Sequence, residues 1–258
     1  MLSSEKVLEL SKLYKIDAFS VQREFSQIIF LEALYSQPQS AEVVFKGGTS
    51  LRLIYGANRF SEDLDFTLLT SVDKAKTLLY EALSSFSECF PGAYLKVKPL
   101  NKNTPGYTCL LKFSLPAFPF EATLHLDFSL RGDVFATPEH RLVQVKGYPL
   151  NPARPLIKVL SKKELLAEKV RAFMNRDKSR DLYDLAFLLN DTEIDMEVIS
   201  KKMLYYQKEF NKDDFKKKLA AVTAEDLKKD LSKFLPINER GVNTCQNVLD
   251  LVRKGFDL

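Results

Sequence analysis

No apolar run of roughly 18 residues, the length a membrane helix needs, occurs in this 258-residue chain. The N-terminal Met1-Leu2-Ser3-Ser4-Glu5-Lys6 turns polar at once and lacks the hydrophobic stretch of a secretory signal. Cysteine is scarce: Cys89, Cys109 and Cys245 are odd in number and far apart. They fit neither a disulfide framework nor zinc spacing, so reduced thiols and a cytoplasmic location are expected. Two histidines argue against a histidine-based zinc site. No Ser-His-Asp signature, internal repeat or low-complexity tract is present. A strong charge of one sign is missing too. Residues 1–154 carry 17 Lys+Arg against 16 Asp+Glu, and residues 155–258 carry 21 against 18. Any nucleic-acid partner must therefore be held by a local patch, because neither part has a strong field of its own.

The remaining composition, 45% hydrophobic, is that of a globular protein with a core. Residues 5–14 and 18–36 read as helices; in the second, Phe19, Val21, Phe25, Ile28, Ile29, Leu31 and Leu34 recur at helical spacing. Val43-Val44-Phe45 is a short β-rich run ending at Gly47-Gly48, and Thr49 to Tyr55 reads as helix, with Gly56 placed to stop it. Asp63 to Leu69 alternates as a strand, and residues 72–88 read as helix. Segments 93–100, 107–115 and 121–130 read as strands, with breaks at Pro91-Gly92, Pro105-Gly106, Pro116 and Pro119. Leu156 to Leu160 reads as a last short strand or a linker. Ser161-Lys162-Lys163-Glu164 fits a capping box, and helices follow to the end. The simplest partition is an α/β domain over 1–154 and a helical domain over 155–258.

Asp63 and Asp65 lie two apart, so on a strand both side chains share one face, with Cα atoms about 6.6 Å apart. Two carboxylates there repel unless a cation joins them, and Mg²⁺ suits hard oxygen ligands shared with substrate phosphates. A bare Asp-x-Asp is more often a polar strand end facing water. Gly47-Gly48-Thr49-Ser50 follows a strand and opens a helix. Glycine lets backbone approach a ligand, helix-start N–H groups favour anions, and the hydroxyls can donate. The plain alternative is a strand–helix turn capped by Thr49 or Ser50. The two features together are more specific than either alone.

Three further positions carry candidate chemistry. Asp127 shares a strand face with His125 and is a candidate third metal carboxylate, or simply part of a half-exposed strand. His125 reads better as a polar surface or supporting residue than as a ligand. Lys169 borders the stripe Leu166, Val170, Phe173, so its head can emerge into a cleft to hold phosphate, or snorkel into water. Asp184 sits among Leu182, Leu185 and Leu188, where a pair with Arg180 at i,i+4 is the plain reading, and Asp181 suits the helix dipole. The runs Lys216-Lys217-Lys218 and Lys228-Lys229 read as solvated faces or RNA-phosphate contacts. Tyr205, Tyr206, Phe210 and Phe215 read as core sooner than as base-stacking platforms.

Lys46-Gly47-Gly48-Thr49-Ser50-Leu51, Arg59-Phe60-Ser61-Glu62-Asp63-Leu64-Asp65-Phe66, Glu168-Lys169-Val170-Arg171-Ala172 and Arg180-Asp181-Leu182-Tyr183-Asp184-Leu185 resemble, in order, the four motifs of the AbiEii/AbiGii toxin family. That family belongs to the DNA polymerase β-like nucleotidyltransferases. The motifs span residues 45 to 189; the helices beyond carry no motif that can be checked. The resemblance implies an α+β fold, a nucleotidyltransferase-like mixed β-sheet core flanked by helices and followed by an all-helical C-terminal region that completes the active-site cleft. It implies Mg²⁺-dependent transfer of a nucleoside monophosphate from an NTP, with one or two ions. The acceptor it implies is RNA, foremost the tRNA 3′ end, and the implied protein partner is a cognate antitoxin. By matching position, Gly47, Gly48, Thr49 and Ser50 would bind the nucleotide, with Gly48 and Ser50 on the triphosphate. Asp63 and Asp65 would bind metal, Lys169 phosphate, and Asp184 would be the essential acid of the last motif. Asp127 as metal ligand follows the wider superfamily pattern. Asp184 is expected either to orient Lys169 or to accept a proton. The alternatives are a small-molecule or protein hydroxyl as acceptor, or a non-catalytic NTP-binding module, against which the intact Asp63, Asp65 and Lys169 argue.

Overall fold

The computed structural model describes residues 1–99, 106–115 and 118–257. Pro105, Pro116 and Leu100, the expected end of one strand, lie outside the described residues. The chain divides into two compact units. The first comprises Met1–Gly56, Phe60–Gly132 and Pro138–Val159; the second comprises Ala57–Arg59, Asp133–Thr137 and Leu160–Leu258. Among the described residues no helix is long and apolar enough to cross a membrane.

The first unit is built on a seven-stranded mixed sheet. Its strands are β1 (Val43–Lys46), β2 (Asp63–Leu68), β3 (Tyr94–Pro99), β4 (Gly106–Ser114), β5 (Glu121–Ser129), β6 (Glu139–Arg141) and β7 (Ile157–Val159), in the order β3-β4-β5-β2-β1-β7-β6. The β2–β5 and β1–β7 pairs are parallel and the others antiparallel. The segment around Ile157 is thus a strand. The three-residue β6 had no sequence signal, since its residues are half-buried to exposed and show no alternation. Helices α1 (Ser4–Tyr14), α2 (Ala18–Tyr35), α3 (Gly47–Leu53) and α4 (Val72–Cys89) complete the unit. Ser3 and Asp17 cap α1 and α2 through their side chains. Helix α3 starts two residues before the expected Thr49, because the chain turns directly out of β1 at Gly47.

Alternation along the strands sets the faces of this sheet. Leu64, Phe66 and Leu68 of β2, and Ala122, Leu124, Leu126 and Phe128 of β5, are buried in the core shared with α2 and α4. An aromatic row crosses four strands in register. Phe45–Phe66, Phe66–Phe128 and Tyr107–Phe128 have ring centroids 5.5, 4.9 and 4.9 Å apart. Such pairs add stabilisation beyond simple area burial. They also fix register, because a one-residue slip would turn every side chain of a strand to the other face. The aromatic row therefore determines where the intervening aspartates point.

The second unit contains α5 (Lys162–Asn175), α6 (Arg180–Leu189), α7 (Met196–Tyr205), α8 (Lys212–Ala220), α9 (Ala224–Leu231) and α10 (Val242–Gly255). Leu165, Leu166, Val170, Phe173, Leu182, Leu185, Leu188 and Phe215 are buried in it. The expected capping box at Ser161 and Glu164 does not form: Ser161 makes no side-chain cap bond. Glu164 is fully buried instead, accepts hydrogen bonds from the Phe135 and Ala136 N–H groups at 3.0 and 2.7 Å, and pairs with Lys202 at 2.5 Å. A fully buried ammonium needs a countercharge more than a helix end exposed to water needs a cap, and that demand takes Glu164.

Candidate active site

The turn between β1 and α3 is shaped by Gly47. Its φ of +78° is a region that side chains rarely adopt. A Cβ built there would lie 2.0 Å from Asp65 Oδ2, so the Asp65 carboxylate rests directly against the Gly47 backbone. The hydroxyls of Thr49 and Ser50 are buried. Thr49 donates to the Asp63 carbonyl, and Ser50 to the Gly47 carbonyl at 2.8 Å. Both hydroxyls therefore tie the glycine turn to itself and to the start of β2. Gly48 is buried at the start of α3.

Arg52 anchors the turn from below. It is 5% exposed and bonded through Nε and Nη2 to Glu24 of α2, at 2.7 and 3.1 Å. Its guanidinium lies over the rings of Tyr14 and Phe60, 4.7 and 4.0 Å from their centroids. Tyr148 donates its hydroxyl to Glu24 at 2.9 Å. Burial, seconded by the Glu24 charge, pushes the Tyr148 phenol far above its ordinary range, so it remains a donor. Sequence reasoning missed this support, because its partners lie in four separated segments.

The carboxylates stand on the sheet face opposite the aromatic row. Asp63 and Asp65 are half-buried at alternate positions of β2. The parallel register sets Asp65 beside Asp127 and Asp63 beside His125. Neighbouring strands are about 4.8 Å apart, so Asp65 and Asp127 face each other closely. Thr108 of β4, paired in register with Asp127, donates its hydroxyl to Asp127 Oδ1 at 2.6 Å. Gln27 of α2 donates to the carbonyls of Ser61 and Glu62 at 3.0 and 3.1 Å and fixes the entry into β2. Among the described residues no three Asp, Glu, His or Cys side chains converge as a ready metal cage. The donor chemistry nonetheless fits Mg²⁺, which takes one or two protein carboxylates and completes its shell with water and substrate phosphates.

Lys169 and Asp184 are brought together in the second unit. Lys169 does not emerge into water: it is 7% exposed and pairs with Asp184 at 2.6 Å and Asp181 at 3.2 Å. Asp184 does not pair with Arg180. It accepts from Arg59 through Nε and Nη2, both at 2.9 Å. Arg180 instead lies over the Phe234 ring, and its backbone N–H donates to Asp230. Asp181 serves more than the helix dipole, since it also accepts from Arg176 at 2.8 and 2.9 Å. Burial raises the affinity of Asp184 for a proton, but the charges of Arg59 and Lys169 outweigh it and hold its carboxyl below the ordinary range. Burial pulls the Lys169 ammonium down, and Asp184 and Asp181 more than restore it, so it is held above its ordinary value. The partnership of Arg59 was invisible in sequence, because Asp184 lies 125 residues further along.

Comparison with known proteins gives the family and the fold. The family described as "Nucleotidyl transferase AbiEii toxin, Type IV TA system" matches residues 29–250. MenT4, a nucleotidyltransferase toxin from Mycobacterium tuberculosis, shares the fold with a TM-score of 0.67 at 21% identity, over 99% of this chain and 89% of that one. JHP933 from Helicobacter pylori gives 0.60 at 21% identity, over 94% of each chain. No curated protein matches the chain. A family match that spans most of the sequence and contains all four motifs decides the assignment: the chain belongs to the AbiEii toxin family of nucleotidyltransferases.

Proposed function

We propose that this nucleotidyltransferase uses Mg²⁺ to transfer a nucleoside monophosphate from an NTP to an RNA acceptor, the tRNA 3′ end, releasing pyrophosphate. The observation that carries the reading is the half-exposed carboxylate face, Asp65 facing Asp127 with Asp63 on the same side, set against the glycine turn. Asp63, Asp65 and Asp127 are the residues that would hold the metal. Bound there, Mg²⁺ supplies positive charge that offsets the negative charge developing on the phosphoryl oxygens. By motif position Gly47 and Gly48 bind the triphosphate, Gly47 also leaving room for the Asp65 carboxylate against its backbone, and the Thr49 and Ser50 hydroxyls act by keeping that turn in place. By its motif position Lys169 contacts phosphate, and Asp184 orients it. Asp184 is a poor proton acceptor, because two cations favour its ionised form. The reaction belongs in the cytoplasm, where tRNA and NTPs occur, and the family's toxin–antitoxin character makes a cognate antitoxin the protein partner.

The test is incubation with total RNA, Mg²⁺ and each labelled NTP in turn, beside an Asp65→Asn control. Label that enters RNA with at least one NTP and vanishes in the control is the expected result. No label with any NTP, or label confined to protein or small molecules, would overturn the reading.

A further inference from the structure

We infer that an aromatic shelf beside the carboxylate strand, formed by Phe19, Phe118 and Phe120 with Arg23 at its rim, is a stacking site for an unpaired base of the polynucleotide acceptor. The inference rests on the RNA-acceptor reading above. Phe19 packs against Phe118 and Phe120 with ring centroids 5.3 and 5.7 Å apart, and Phe118 and Phe120 are 5.5 Å apart. The cluster is open to solvent. Among the described residues Phe120 is the one exposed phenylalanine, with 54% of its surface accessible.

Two further observations say what covers it. The Arg23 guanidinium lies 5.4 Å from the Phe19 ring centroid, which places a planar cation on an aromatic surface. The same guanidinium bonds Glu62 at 2.9 Å, and Glu62 immediately precedes Asp63. One arginine thus links the shelf to the strand that carries the candidate metal carboxylates. Stacking on aromatic rings, with an arginine plane against them, is how proteins hold unpaired bases. With Arg23 paired to Glu62 and 13% exposed, its planar face and its place beside the carboxylate strand, not a free charge, favour a base over an apolar protein surface. The position of the shelf suits a nucleotide close to the reacting 3′ end.

The test uses the full chain as wild type, F120A and F120W. Binding of a dye-labelled single-stranded oligoribonucleotide is read by anisotropy, and KM values for RNA and for NTP are measured separately. F120A is expected to weaken oligonucleotide binding and raise the RNA KM by about 10-fold or more, with the NTP KM unchanged and F120W close to wild type. An abasic nucleotide at one position near the 3′ end should weaken binding to wild type but not to F120A. Unchanged oligonucleotide binding in F120A would overturn the inference. So would a shift in the NTP KM alone, or a loss confined to binding of a protein antitoxin. If the wild type labels no RNA, the acceptor reading itself has failed; the binding measurements still decide the shelf.

Discussion

The sheet face and the helical unit both gather aspartates with sequence-conspicuous partners, but they leave them in opposite states. On the sheet, Asp63, Asp65 and Asp127 are half-buried, and Asp65 and Asp127 face each other on adjacent strands. In the helical unit, Asp181 and Asp184 are buried and locked to Lys169, Arg59 and Arg176. Asp65 has Lys46 in register on one side and Asp127 on the other, and this half-buried carboxylate face remains open to an arriving cation. The second group is buried together with its countercharges, and an uncompensated charge there would be costly. Substitution should therefore affect binding and catalysis in the first place and folding in the second.

The largest expected effect is on catalysis. Asp65→Asn should lower nucleotidyl transfer by about 1,000-fold or more, since several kcal/mol of charge stabilisation depend on it. Its unfolding midpoint should stay close to that of the wild type, because the side chain is only half-buried and asparagine keeps its shape. An Asp65→Asn protein that unfolds early would show the sheet aspartates to be structural. The reverse holds for Asp184→Ala, which leaves the buried Arg59 and Lys169 without their shared carboxylate. Breaking such a pair costs about 3–5 kcal/mol, measurable by urea denaturation. An Asp184→Ala protein that keeps its stability and loses only activity would erase the contrast between the two groups.

The same contrast governs what the sequence disclosed. Asp63 and Asp65 were legible because strand period alone puts them on one face, and the alternation of Leu64, Phe66 and Leu68 confirmed the period. The pairing of Asp65 with Asp127 depends on which strands become neighbours, and local patterning says nothing of that. The helical unit misled in a consistent way. Arg180 with Asp184, and Ser161 with Glu164, are good local matches, and both lost to distant partners: Arg59 and Lys169 for Asp184, Lys202 for Glu164. Buried charges select the strongest countercharge in space, so short-range rules fail where burial is deepest. Glycine, by contrast, marked the β1–α3 turn correctly, because its backbone freedom is a local property.

That turn gives a smaller and more specific effect. Gly47 and Gly56 have φ of +78° and +84°, but a Cβ at Gly56 meets nothing within 4 Å. Alanine at either position should cost about 1–2 kcal/mol for the left-handed backbone. At Gly47 the new methyl must also displace the Asp65 carboxylate. Gly47→Ala should therefore lose activity well beyond Gly56→Ala at comparable stability. Equal activities in the two variants would separate the position of Asp65 from catalysis.

The smallest effect is the pH dependence carried by Asp181. Burial tends to raise its proton affinity, but Lys169 and Arg176 lower its carboxyl below the ordinary 3.8. A carboxyl depressed by folding stabilises the native state fully above its unfolded pKa and loses that contribution as pH falls through the folded one. Lys169, raised above 10.5, behaves in the opposite sense and loses its share only as pH rises through its folded value. Between these limits neither group changes charge. Asp181→Asn leaves Lys169 its contact with Asp184, and Arg176 is partly open to water, so the loss at neutral pH should be modest. Urea midpoints of wild type and variant should differ by a constant amount across neutral pH and converge as pH falls below 3.8. A difference that grew on the acid side would mean that Asp181 is held by something other than its two cations.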